Sequence, residues 1–218
     1  IYSSGGRNIV YVGGNGPDNY TRIQDAINNA SDGDMIFVYR GVYYENIIIN
    51  KSITLIGENK EATIIDGKNT GDIINITVNY VNITEFTINN SGNLQNAGIK
   101  IYSQYNTVSH CNIFNNGDGI WLYLSSKNKI SDCNISNNED NGIWLVYSSM
   151  DNLISNCSIY SNQDYGIWLS SSSNNNTICN CNISKNDYGI SLLNSFYNSI
   201  SNCSIYSNQD YGIWLSSS

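Results

Sequence analysis

Along most of this chain apolar and polar residues alternate in short runs, as at Ile130, Ile135, Ile143 and Leu145, with Asn and Ser between them. A period of two marks strands, because successive side chains of a strand point to opposite faces. The runs recur on a fixed beat. Gly-Ile-x-Leu begins at Gly119, Gly142, Gly166, Gly189 and Gly212, spaced 23, 24, 23 and 23 residues, with a weaker Gly98-Ile-Lys-Ile101 before them. Cys111, Cys133, Cys157, Cys181 and Cys203 keep the same beat, and so do Asn106, Asn128, Asn152, Asn176 and Asn198. A unit of three short strands cannot bury its own apolar face, so each unit must stack on the one before it. The predicted fold is all-β: a right-handed, single-stranded parallel β-helix of roughly nine coils, near 45 Å long at a rise of about 4.8 Å per coil.

The chain reads as one β-helix domain over residues 1–218. Residues 97–218 form the regular coils, and 35–96 form irregular first coils with strands beginning at Met35-Ile-Phe-Val-Tyr39. Residues 1–34 form an N-terminal cap. Within it Ile23, Ala26, Ile27 and Ala30 share one helical face, which predicts a short helix over about 21–30. Thr21 and Gln24 have the spacing of a capping box, and Gly33 follows as a stop signal. Such a helix would cover the open end of the first coil, where unpaired strand edges invite aggregation. Residues 154–172 and 200–218 are the same string, ISNCSIYSNQDYGIWLSSS, which predicts that the natural protein continues past Ser218.

Composition narrows the function. The 218 residues include 38 Asn, 30 Ser and 33 Ile but one Pro and one His, and Asn-rich turns between short strands account for this mixture. Ten basic against 18 acidic residues give a net charge of −8, which repels phosphate backbones and predicts no nucleic-acid partner. No apolar run approaches the length of a membrane span.

Tyr11-Val-Gly-Gly-Asn15, Thr21-x-Ile-Gln-x-Ala-Ile27, Gly33-Asp34, Gly41-Val-Tyr-Tyr-Glu45 and Ile53-Thr-Leu-Ile-Gly57 together resemble the opening of pectin-lyase-like β-helix proteins. The Asn-x-Ile and Gly-Ile-x-Leu coils resemble NosD-type repeats, common in surface proteins of methanogenic archaea. The resemblance spans nearly the whole chain and implies the β-helix and an archaeal, extracellular setting. Fold alone does not fix chemistry. Gly41 to Glu45 is similar to the Gly-x-Tyr-x-Glu opening of pectinesterases, but their Gln-Asp-Thr segment is missing, as are the Asn-Thr-Asp, Gly-His-Gly and Arg-Ile-Lys motifs of polygalacturonases. Lyases of this superfamily need a basic catalytic residue, whereas Arg7, Arg22 and Arg40 all lie near the N-terminus and Lys185 is the one basic residue after Lys129. The NosD name is tied to copper delivery, yet two Met and one His make a poor copper set.

Two rows carry candidate chemistry. Trp121, Trp144, Trp168 and Trp214 all occupy the x of Gly-Ile-x-Leu, so their indoles point away from the core, with Ser191 interrupting the ladder. An apolar row of this size reads as a platform for sugars, as a contact for another surface protein, or as stacking that only stabilises the sheet. Asp140, Asp164, Asp187 and Asp210 each stand two residues before the repeat Gly and stack in one turn. They read as turn residues bonded to backbone N–H groups, as a candidate calcium row, or as a carboxylate pair for catalysis. No other cofactor is expected. The cysteine ladder reads as buried thiols packed like small hydrophobes, with Cys179 apart on an outward position, and His110 as an ordinary turn residue. Eleven Asn-x-Ser/Thr sequons are candidate glycan sites in an exported chain.

The sequence thus predicts a non-catalytic extracellular protein of the cell surface that binds carbohydrate or a surface partner through the Trp ladder. A structural envelope or assembly component is the alternative, and a polysaccharide lyase or hydrolase is the third reading.

Overall fold

Every strand run read from the alternation falls into one of three parallel sheets. The computed structural model describes residues 8–218. Each coil contributes one strand to each sheet in turn, giving nine strands in the first sheet and eight in each of the others. Register holds from end to end. In the first sheet Leu55, Ile83, Val108, Ile130, Ile154 and Ile178 are direct neighbours up the stack. In the third, Ile120, Ile143, Ile167 and Ile190 do the same. All of these are buried. Burying one such side chain contributes about 1.5–3 kcal/mol relative to leaving it in water, so repetition of the row is what drives the stacking.

The early coils differ in length but not in register. Met35 pairs with Thr54 and Thr54 with Asn82, so successive coils there hold 19 and 28 residues. The first strand lies earlier than the sequence predicts: Ile9–Val12 precedes the helix and pairs in parallel with Met35–Val38. The cap region therefore already belongs to the first sheet.

The corners explain the abundance of Asn. At the turn between the first and second sheets a single left-handed residue changes the chain's direction in each coil: His110, Asp132, Asn156, Asn180 and Asn202 all have φ between 52° and 58°. Asn and Asp tolerate this region better than other side chains with a Cβ. His110 is exposed and serves that turn, as the sequence predicts.

Inside two of the corners run buried amide ladders. Asn106, Asn128, Asn152, Asn176 and Asn198 form the first, each Nδ2 and backbone N–H donating to the Oδ1 of the next Asn up the stack. Asn116, Asn138, Asn162, Asn186 and Asn208 form a second that the sequence reading did not single out, although its spacing is the same as that of the cysteines. The repeat Gly is required where strands approach these ladders: a Cβ on Gly142 would lie 2.5 Å from the Gly166 carbonyl oxygen and 2.7 Å from Ile159 Cγ2. The thiols behave as expected. Cys111, Cys133, Cys157 and Cys181 are free and buried, Cys203 is half-buried, and the hydrogen bond with the Cys111 thiol, reinforced by burial, pushes Cys133 well above its ordinary pKa. Cys179 lies in register with Ser155 and Ser201, half-exposed.

The helix spans Ile23–Asn29 and buries Ile23, Ala26 and Ile27 over the first coil. Its N-terminus is not closed by Thr21 and Gln24. Arg22 occupies the cap position without a side-chain bond, and the buried Glu45 carboxylate instead accepts the N–H groups of Ile23 at 2.8 Å and Gln24 at 3.1 Å. Gln24 turns the other way, its Oε1 accepting the Ile48 N–H at 2.7 Å. A carboxylate supplied from a later coil satisfies the orphan donors and suits the positive end of the helix. Glu45→Ala is expected to lower stability by about 2 kcal/mol. Urea unfolding checks this, and a loss as small as that of an exposed-site control would refute the capping role.

The same 19-residue string ends in two environments. Ile167 and Leu169 have no exposure, whereas their counterparts Ile213 and Leu215 in the last coil are 44% and 60% exposed.

Candidate functional site

On the outer face of the third sheet, the residues between the core-facing positions form one row: Asn75, Lys100, Trp121, Trp144, Trp168, Ser191 and Trp214 are in register. The indoles point away from the core as predicted, but they are half-buried and do not lie flat. Trp121 and Trp144 stack at 4.5 Å with an angle of 20°, and Trp144 and Trp168 at 4.9 Å with 5°. The rings thus consume each other's faces. What the column offers to solvent is a line of ring edges, so a sugar cannot lie flat on each indole in turn.

Both ends of the column are closed. Lys100 Nζ sits 3.6 Å from the Trp121 ring centre and 3.6 Å from an Asp72 carboxylate oxygen, a cation–π contact held in place by an ion pair. At the other end Tyr165 stacks on Trp168 at 5.1 Å. Tyr165, Tyr188 and Tyr211 continue the aromatic line at 4.8 and 5.7 Å. Ser191 is accordingly no gap in the surface: it has no exposure, and its Oγ finds no hydrogen-bond partner. The Asp-Tyr-Gly pattern of three coils was the sequence signal for this second row. Trp144 Nε1 donates to Ser170 Oγ at 3.2 Å, while the buried Nε1 groups of Trp121 and Trp168 have no acceptor.

The acidic row lies along the adjoining turn. Its backbone is laddered, the Asp140 N–H donating to Gly117 O and the Asp164 N–H to Asp140 O. Its carboxylates accept no backbone N–H, contrary to the turn-residue expectation. Burial first, then the charges of Asp140 and Asp187, push Asp164 up to about 6, and burial raises Asp140 as well. Among the described residues no cluster of three or more acidic, His or Cys side chains gathers around one point, so the row offers single carboxylates, one to a coil.

One acidic residue was missed. In the coil that has Gly117 at the row position, Asp118 stands one residue later, in register with Ala97 of the coil below. It has no exposure. Its Oδ1 accepts the Asn141 N–H at 3.1 Å and Nδ2 at 2.8 Å, and its Oδ2 has no partner. Burial, reinforced by Asp140 and opposed by the Asn141 bonds and Lys100, pushes it up to about 7. The charged groups that act on Asp118 also border an open groove of about 540 Å³, lined by Leu94, Gln95, Lys100, Trp121, Asp140 and Trp144. The structure therefore brings two of the four predicted tryptophans and the first of the four aspartates together in one groove, and spreads the others along the coils above.

The family description "right handed beta helix region" matches residues 2–178 and, in a second alignment, 72–218. The chain belongs to this right-handed β-helix family. Among solved structures, the chain is similar to a pectate lyase with a TM-score of 0.71 at 17% identity, over 87% of this chain and 62% of that one. It spans, then, less than two thirds of that lyase. It is also similar to the pectin methylesterase from carrot, with a TM-score of 0.67 at 13% identity over 100% and 91% of the two chains. The A-module of a mannuronan C-5 epimerase from Azotobacter vinelandii follows at 0.53 and 17%, over 88% and 74%. At these identities the likeness shows the β-helix fold. No curated protein sequence matches the chain. Among the described residues no helix is long and apolar enough to cross a membrane.

Proposed function

We propose that this β-helix is a non-catalytic, extracellular binding module of a cell surface, and that it holds an extended polysaccharide along the edge of the Trp–Tyr column. The observation that carries this reading is the groove in which Trp121, Trp144, Lys100 and Asp140 converge. It combines an apolar wall with a few polar groups, the usual make-up of a ligand site. From there the aromatic line runs on over successive coils, so a polymer lying parallel to the helix axis meets a similar surface at each rise. Structures of similar fold include a pectin methylesterase in complex with a hexasaccharide and an α-1,3-glucanase domain in complex with tetrasaccharides.

Every tryptophan of the chain stands in this row, so indole fluorescence reports on the face and on nothing else. Titration with neutral and charged glycans, with and without calcium, is expected to give a saturable shift with one class. Trp144→Ala should weaken that binding by about tenfold, a loss of roughly 1.4 kcal/mol, while the remaining indoles still report. A spectrum that no glycan moves would refute the module.

A further inference from the structure

We propose that the polymer selected by this face is a cationic one, an amino-sugar glycan with free ammonium groups along its backbone. The inference rests on the binding face proposed above and deepens it.

The first argument is charge. The turns that lead into the aromatic column carry Glu139, Asp140, Asp164, Asp187 and Asp210 against the single base Lys185, and those that leave it carry Asp151 against Lys127. Lys100, the one cation within the row, is already engaged by Asp72 and by the Trp121 ring. A polyuronate chain along this face would therefore meet repulsion at each coil and no free cation in the column. The second argument is the state of those carboxylates. Asp164 and Asp140 are partly buried without a hydrogen-bond donor, and Asp164 also feels Asp140 and Asp187. An ammonium group relieves both costs, whereas a carboxylate adds to them.

The third argument is spacing. The row presents one carboxylate per coil, at a rise of about 4.8 Å. An extended β-1,4-linked pyranose chain advances by a similar distance per sugar and turns over at each one, so the amine of every second sugar faces the row and meets every second carboxylate. Tyr165, Tyr188 and Tyr211, one per coil beside the acids, provide hydroxyl partners that favour a sugar over a basic peptide.

The test is a fluorescence titration of the wild-type chain at pH 6 with four probes: a β-1,4-glucosamine hexamer, its fully N-acetylated counterpart, a galacturonate hexamer and polylysine. The glucosamine hexamer is expected to bind at least tenfold more tightly than the acetylated one. That advantage should collapse at high salt, which screens exposed charges, and in an Asp164→Asn/Asp187→Asn variant whose circular dichroism matches wild type. Equal or tighter binding of the acetylated or galacturonate hexamer overturns the inference but leaves the glycan-binding reading intact. Polylysine binding as tightly as the glucosamine hexamer overturns it in favour of charge attraction alone. No response to any glycan overturns both.

Discussion

Asn152→Leu is expected to lower the stability of the chain by about 3–5 kcal/mol, although the two side chains have the same number of non-hydrogen atoms and the same branching. Asn152 sits in the middle of the first amide ladder with almost no exposure. Its Oδ1 accepts the backbone N–H of Asn128 at 2.8 Å and the Asn128 Nδ2 at 3.2 Å. Its Nδ2 donates to Ser125 O and to Asn176 Oδ1, both at 3.0 Å. Leucine removes all four bonds and leaves a backbone N–H and a carbonyl buried without partners, at about 1–3 kcal/mol for each orphaned group. Because each coil touches only its neighbours, the damage should concentrate in the coils on either side. Urea unfolding measures the loss, with Gln163→Ala, at an exposed corner, as a control expected within about 0.5 kcal/mol of wild type. A loss for Asn152→Leu as small as the control's would mean that the ladder contributes shape rather than stability.

Asp118→Asn should do the opposite, and only at high pH. The folded chain holds this carboxyl up to about 7 against an ordinary 3.8, so folding favours its protonated form. The stability it contributes is complete below about pH 4 and is lost as the pH rises through 7. Three pH units at about 1.36 kcal/mol each make the loss on the order of 4 kcal/mol by pH 8 or above. Asparagine keeps the acceptor for Asn141 and carries no charge, so the variant should match wild type near pH 4 and exceed it by roughly 3–4 kcal/mol at pH 8. Parallel pH profiles for the two proteins would show that the buried carboxylate is neutralised by some other means.

These two residues also mark how far the sequence could be read. Stacking rows were legible because a strict register forces like residues onto one another: the Ile rows, the cysteine ladder and the outward Trp positions all follow from spacing alone. Spacing does not set ring torsions, so it gave the side of the sheet on which the indoles lie but not that their faces are spent on one another. It also favours what repeats. Glu45 caps the helix from a coil whose length is unlike the others, and Asp118 departs from the acidic row by one position, so neither stands out against the repeat. Both are defined by the pairing of buried donors with acceptors, which a repeat pattern does not carry.

The duplicated string has a practical consequence for anyone who follows this chain by hydrogen exchange and mass spectrometry. Peptides cut from 154–169 and 200–215 have one sequence, hence one mass and one retention time. Their signal is the sum of two coils, so a difference in protection between the two copies takes the form of two isotope envelopes of equal area. Such a split is ordinarily taken as evidence of two exchanging conformations. Here it would arise from a single conformation, and the area ratio would stay at one whatever the labelling time. A ligand that covers only one copy would move one envelope and leave the other in place.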